Sequence, residues 1–170
     1  MTLSDYWRVI ELSRESFIVG EGAMKAQAEL ITLGLRNFDI HDLTEFDAFS
    51  KSLLVESYNW DIVGAAVLLA GFCSDDLVVD FIGWLISMGK NTYENAVRDP
   101  NSLAVFVGDP SIESFFFEDF FSLPSKVAGF ELNSEWVFPQ RIGGIPFADN
   151  RDLSVRLPGL DQAVNGRSKK

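Results

Sequence analysis

The chain has 170 residues, enough for one domain with a sizeable core, and its 47% hydrophobic and 13% aromatic content excludes a disordered polypeptide. The formal net charge of -11 disfavours nucleic acid, which needs a basic footprint, and favours a basic protein or cationic partner. A single cysteine, Cys73, excludes an internal disulfide, and a single histidine, His41, leaves no set of residues for a zinc site.

The opening, MTLSDYWRVIELSRES, mixes charges into its apolar residues and reads as a helix from residue 4 to about 16, with Ser4 as its cap, rather than as a signal peptide. Gly20 and Gly22 mark a loop. Met24, Ala28, Ile31 and Leu35 then follow helical spacing over 23–36. Asp39 is placed to cap a third helix running to Tyr58, with Leu43, Phe46, Phe49 and Leu53 inward.

The segment WDIVGAAVLLA from Trp60 to Ala70 is apolar on every side, so it is expected to be the central buried helix. Its apolar stretch, Ile62 to Cys73, is too short to span a bilayer, which takes roughly 20 residues. No membrane partner is expected, and the cytoplasm is the expected location. Ser74, Asp75 and Asp76 form a helix start, and Gly89 is the natural stop. A short helix over 91–98 and a turn over 102–107 follow.

Asp109-Pro110-Ser111 is expected to open another helix through SIESFFFEDFFSL. Five phenylalanines fall between positions 115 and 121, more than one inward stripe accepts. Some are expected to contact the C-terminal segment, where Phe138, Ile142, Ile145 and Phe147 are available. Beyond Gly129 the pattern changes. Trp136 to Pro146 looks extended or turned, and 152–157 alternates weakly, as a strand does.

The expected fold is therefore mainly α: a compact multi-helix bundle with a short extended C-terminal segment that can hold β structure. Residues 1–164 form one domain, with a helical body over 1–129 and a turn-rich basic segment over 130–164 packing back on it. Residues 165–170 are expected to be a flexible tail. Charge divides along the same line, with 22 acids and 8 bases in 1–135 but 3 acids and 6 bases in 136–170.

The stretch from Tyr58 to Ala104 carries a Trp60-Asp61 pair, a small-residue apolar helix and a Gly71-to-Asp76 turn. It continues with Trp84-Leu85-Ile86 and the run from Asp99 to Ala104. This combination, with the opening helix at 4–16, resembles the bacterial family named domain of unknown function 4240 over roughly residues 4–106. The family's double glycine before the cysteine is Gly71-Phe72 here. Its aromatic-Arg pair before the Trp helix is replaced in Phe81-Ile82-Gly83-Trp84. The resemblance implies a bacterial protein and brings no assigned reaction.

No residue pattern nominates a catalytic centre, a metal site or a cofactor loop. A Cys73–His41 pair would meet opposition from Asp75 and Asp76, which disfavour a thiolate. Asp75, Asp76 and Asp80 share a helix start, where acids also sit for dipole reasons alone. The expectation is a non-catalytic, acidic protein-binding module, most concretely an immunity-type inhibitor of a basic toxin or nuclease. Its candidate contact residues are Glu113, Glu118 and Asp119 beside Phe116 and Phe120, then Asp75 and Asp76. Trp60 and Asp61 add a ring beside a carboxylate, suited to a cationic side chain. The alternatives are a self-associating scaffold, dimerising through the Phe-rich stretch, and an enzyme or ligand binder with an aromatic-lined pocket.

Overall fold

The computed structural model describes residues 1–15, 22–71, 74–134 and 138–167. In chain order its α-helices are α1 (Leu3–Glu15), α2 (Ala23–Leu35), α3 (Ile40–Ser57), α4 (Trp60–Ala70), α5 (Asp75–Ser87) and α6 (Lys90–Arg98). A 3-10 segment, Pro100–Phe106, precedes a second short one at Phe120–Ser122. Three further helices follow: α7 (Leu123–Ala128), α8 (Asn150–Arg156) and α9 (Pro158–Arg167). The protein is mainly α.

Local chemistry sets the helix starts. Asp39 accepts from the Asp42 N–H at 2.9 Å, and Asn59 accepts from the N–H groups of Asp61 and Ile62 at 3.1 and 3.0 Å. Ser74 accepts from the Leu77 N–H at 3.4 Å. Each side chain satisfies donors that the first helical turn leaves without partners. The first helix is capped two residues earlier than expected. Thr2, not Ser4, accepts from the Asp5 N–H at 3.2 Å, and Asp5 accepts from the Thr2 N–H at 3.0 Å, a reciprocal box. Gly71 closes α4 with φ +83°, a left-handed conformation that side chains disfavour.

The core forms where α5 crosses the molecule. Every residue from Phe81 to Gly89 is buried. In α4 only Ile62 to Ala66 are buried, while Val67 to Ala70 are half-exposed. The centre of the bundle is therefore α5 rather than α4. Aromatic edges knit the layers together: Tyr6 meets Phe46 at 4.5 Å, Trp7 meets Tyr93 at 5.8 Å, and Trp84 meets Phe115 at 5.0 Å between ring centres. Burying each such ring stabilises the fold by about 1.5–3 kcal/mol. Gln27 is buried and joins three helices, donating to Ser13 Oγ at 3.2 Å and to the Ser87 carbonyl at 2.8 Å.

The Phe-rich stretch is not a helix. Residues 110–119 run as turns and irregular chain, with helical character only from Phe120 onward. The backbone donors there have other acceptors. Asp109 takes the Ser111 N–H at 2.8 Å, Ser114 takes the Phe116 N–H at 3.0 Å, and the Asp80 carbonyl on α5 takes the Phe117 N–H at 2.9 Å. An irregular chain can turn successive rings inward as a helix stripe cannot. Phe117 and Phe120 are in the core, and Phe115, Phe116 and Phe121 are half-buried. Gly83 makes the approach feasible, since a Cβ there would lie 3.0 Å from Phe120 Cβ and 3.1 Å from the Phe117 carbonyl oxygen.

The C-terminal segment differs from expectation in the same way. Of residues 152–157, expected as a strand, 152–156 lie in α8 and Leu157 ends it, because Asp149 caps that helix by accepting from Arg151 and Asp152 at 2.9 and 3.0 Å. Positions 165–167, expected to fray, belong to α9, and 168–170 lie outside the described residues. The β character reduces to one parallel bridge among the described residues. In it the Trp60 N–H donates to the Gly143 carbonyl at 2.9 Å, and the Gly143 N–H donates to the Tyr58 carbonyl at 3.0 Å. The segment seats two of its rings at the junction of α3 and α4 rather than on the Phe-rich stretch: Phe138 on Tyr58, just after α3, at 5.1 Å and Phe147 on Trp60, the first residue of α4, at 5.5 Å. Asn101 fixes α9 by accepting from the N–H groups of Gly159 and Leu160 at 2.9 and 3.1 Å.

Candidate functional site

Three carboxylates gather where the first turns of α5 face the chain after Phe117. Asp76 and Glu118 are exposed, and Asp80 is half-buried. Burial raises the Asp80 carboxyl above its usual range, and the negative charges of Glu118 and Asp76 raise it further. None of the three forms an ion pair among the described residues. No group of three His, Cys, Asp or Glu side chains among those residues is arranged to hold a metal ion. Asp75 opens α5, but its side chain is outside the described set.

The other candidate residues are distributed differently. Asp119 is bridged to Lys126 at 2.5 Å, both exposed, so much of its charge is compensated. Glu113 accepts from the N–H groups of Gly22 and Met24 at 3.0 and 3.4 Å. It therefore caps α2 from a distant segment and is not free for recognition. Phe120 is fully buried, which removes it from any contact surface, while Phe116 remains half-buried beside Glu118. Trp60 and Asp61 already have partners: the Trp60 ring meets Phe147, and Arg156 lies 3.7 Å from Asp61 and donates to the Pro146 carbonyl at 2.9 Å. The ring-and-carboxylate pair thus anchors the C-terminal segment.

His41 is exposed on the first turn of α3, and Cys73 lies outside the described residues. No helix among the described residues is long and apolar enough to cross a membrane.

Two clefts are lined in part by α1. The larger, about 500 Å³, separates α1 from α2, with Val9, Leu12, Leu30 and Phe38 as walls and Arg8 at its rim. The second, about 470 Å³, lies among α1, α3 and α6, with the Trp7 and Tyr93 rings as its floor and Glu56, Glu94 and Arg98 around it. Sequence reasoning placed Trp7 in the core and passed over Glu56, Glu94 and Arg98. These sit on two helices some forty positions apart, and no local spacing connects them.

The fold and these surfaces define a helical domain with an aromatic core, a group of acids without an ion pair among the described residues, and two clefts beside α1. The chain belongs to the family described as protein of unknown function DUF4240, whose sequence profile matches residues 1–127. That match takes in the Phe-rich stretch and stops at the end of α7, so α8 and α9 lie beyond it. No curated protein and no solved structure matches the chain.

Proposed function

We propose that this chain is a non-catalytic binding module that takes a basic protein partner on the face carrying Asp76, Asp80 and Glu118, with Phe116 at the apolar edge. In its most concrete form it is an immunity-type inhibitor that covers the basic surface of a toxin, such as a nuclease.

The observation that carries this reading is the raised Asp80 carboxyl between Glu118 and Asp76. Elsewhere several acids of the chain have a cation within reach, as Asp47 has Lys51 and Asp152 has Arg156. Here like charges stand together without one among the described residues. A lysine or arginine from a partner relieves that repulsion, and the field of a chain with net charge -11 speeds the encounter and selects against acidic competitors.

The test is a pull-down from the native cell at low and high salt, repeated with an Asp76→Asn, Glu118→Gln double variant. A basic protein captured at low salt, released at high salt and lost with the variant is the expected result. Capture that ignores both salt and the variant would sink the reading.

A further inference from the structure

We propose that the cleft between α1 and α2 binds a medium-chain aliphatic carboxylate, a free fatty acid, with its head group on Arg8 and its chain along Leu12 and Leu30. This site shares no residue with the acidic face and does not depend on the partner proposed there.

The cleft follows the two helices. Gln27 of α2 donates to Ser13 of α1 at 3.2 Å, and a Cβ added at Gly34 would lie 3.4 Å from Val9 Cγ1. The helices therefore run antiparallel, and the cleft extends along them from Ser13 and Leu30 to Asp5 and Phe38. Between Asp5 and Ser13 an α-helix rises about 12 Å, the span of an extended chain of about ten carbons. The volume of about 500 Å³ falls in the range of small-molecule sites.

Its walls are apolar. Val9 is buried at the floor, Leu30 and Phe38 are half-buried, and Leu12 is 51% exposed. Gly34 has no side chain, so the α2 backbone lines the floor and leaves width for a methylene chain. Covering these side chains removes apolar surface from water, which favours an apolar body in the cleft.

The polar lining decides the head group. Of the four polar side chains there, three are committed within the protein. Asp5 accepts from the Thr2 N–H at 3.0 Å and from the Thr2 hydroxyl at 2.6 Å. Ser13 donates to the Ile10 carbonyl at 2.6 Å and accepts from Gln27. The Asn37 amide faces the Leu33 and Gly34 carbonyls at 3.5 Å each. Arg8 is exposed and makes no hydrogen bond or ion pair to any described residue, although Asp5 feels its charge. Its fork of N–H donors matches a carboxylate in two-point contact. Long side chains on a helix lean toward its N-terminus, which carries this head group to the Asp5 end and leaves the apolar length to the chain. A neutral amphiphile would leave Arg8 unanswered, and a cationic one would be repelled. The net charge of -11 opposes a multiply charged anion, so the head carries a single charge.

The test follows the methyl signals of Val9, Leu12 and Leu30 by NMR in the full chain, titrated with octanoate, decanoate and dodecanoate below their self-association concentrations. Decanol and decyltrimethylammonium are the controls. The expected result is a saturable shift of those methyls, with affinity rising about tenfold for each two added methylenes until the chain fills the cleft. Arg8→Gln should weaken decanoate at least tenfold and leave decanol unchanged. Leu12→Glu, at a half-exposed position that the fold tolerates, should abolish decanoate binding while the melting temperature holds. Absence of a saturable shift with all three acids, equal affinity for decanoate and either control, or decanoate binding that ignores Arg8→Gln would overturn the proposal whether or not a basic partner binds elsewhere.

Discussion

Gly64 on α4 and Leu153 on α8 are packed so closely that a Cβ at position 64 would lie 2.6 Å from Leu153 Cδ2. This contact holds the C-terminal helices on the body, and Leu153 is fully buried by it. Gly64→Val should displace Leu153 and lower stability by about 1–3 kcal/mol through overpacking. Leu153→Ala should lower it by about 2–4 kcal/mol through the cavity it leaves. Urea unfolding measures both. Limited proteolysis should cut first between Pro139 and Asn150 in the Gly64→Val protein. Unchanged stability in both variants would contradict the packing.

Glu113 serves the structure rather than recognition. Its carboxylate supplies the cap of α2 that the local sequence lacks, since Gly22 has no side chain. Glu113→Ala should cost about 1 kcal/mol, as loss of a helix cap does. Binding of a basic protein at the Asp76–Glu118 face should be unchanged in the same variant. A large affinity loss without a stability loss would reverse the assignment.

Asp47 is 2% exposed and is held by Lys51 at 2.6 Å and by the Ser134 hydroxyl. Removing the cation leaves a carboxylate in a poorly solvated place. Lys51→Met should therefore destabilise by about 2 kcal/mol or more, and Lys51→Met combined with Asp47→Asn should recover part of that loss. Thermal melts of the four proteins form the cycle. Simple additivity would mean the pair is not coupled.

Asp80 gives the chain a pH signature. Its carboxyl is raised in the folded state by burial, then by Glu118 and Asp76, so the native protein holds this proton more tightly than the unfolded chain does. The associated stability is present below the unfolded value, about 3.9, and is lost as pH rises through the higher native value. Asp80→Asn should therefore melt at a higher temperature than wild type at neutral pH, and the two curves should converge in acid. A partner cation on this face should draw the carboxyl back down, so the complex should weaken as pH falls. Parallel melting curves at all pH values would remove the linkage.

Much of the helical body was legible before any coordinates. Asp39, Asn59 and Ser74 are cap residues followed by apolar positions at helical spacing, and α3, α4 and α5 begin where those residues stand. Capping acts over three or four residues, so a linear reading captures it. The Phe-rich stretch misled for the converse reason. Its spacing permits a helix, but its conformation is settled by the Asp80 carbonyl and the slot at Gly83, which belong to α5, an element well before it in the chain.

The same distinction separates the candidate sites. Composition marked the chain as acidic, Asp76 could be named from its helix start and Glu118 from the Phe-rich run around it, but sequence could not tell a free acid from a bound one. Glu113 caps α2, Asp61 faces Arg156, and Asp119 bridges Lys126, through contacts that range from 7 to 95 positions along the chain. The Trp7–Tyr93 cleft had no linear signature at all.

The amino-acid order alone decided that this chain is helical, where most of its helices start, and that its charge is strongly negative, because propensity, capping and composition are local or additive properties. The tertiary structure decided which rings are sealed, which acids are spent on internal partners and where the clefts open. Those outcomes depend on which surfaces meet, and a meeting such as that of Gly64 with Leu153 is set by the packing of the whole molecule rather than by either residue's neighbours in the chain.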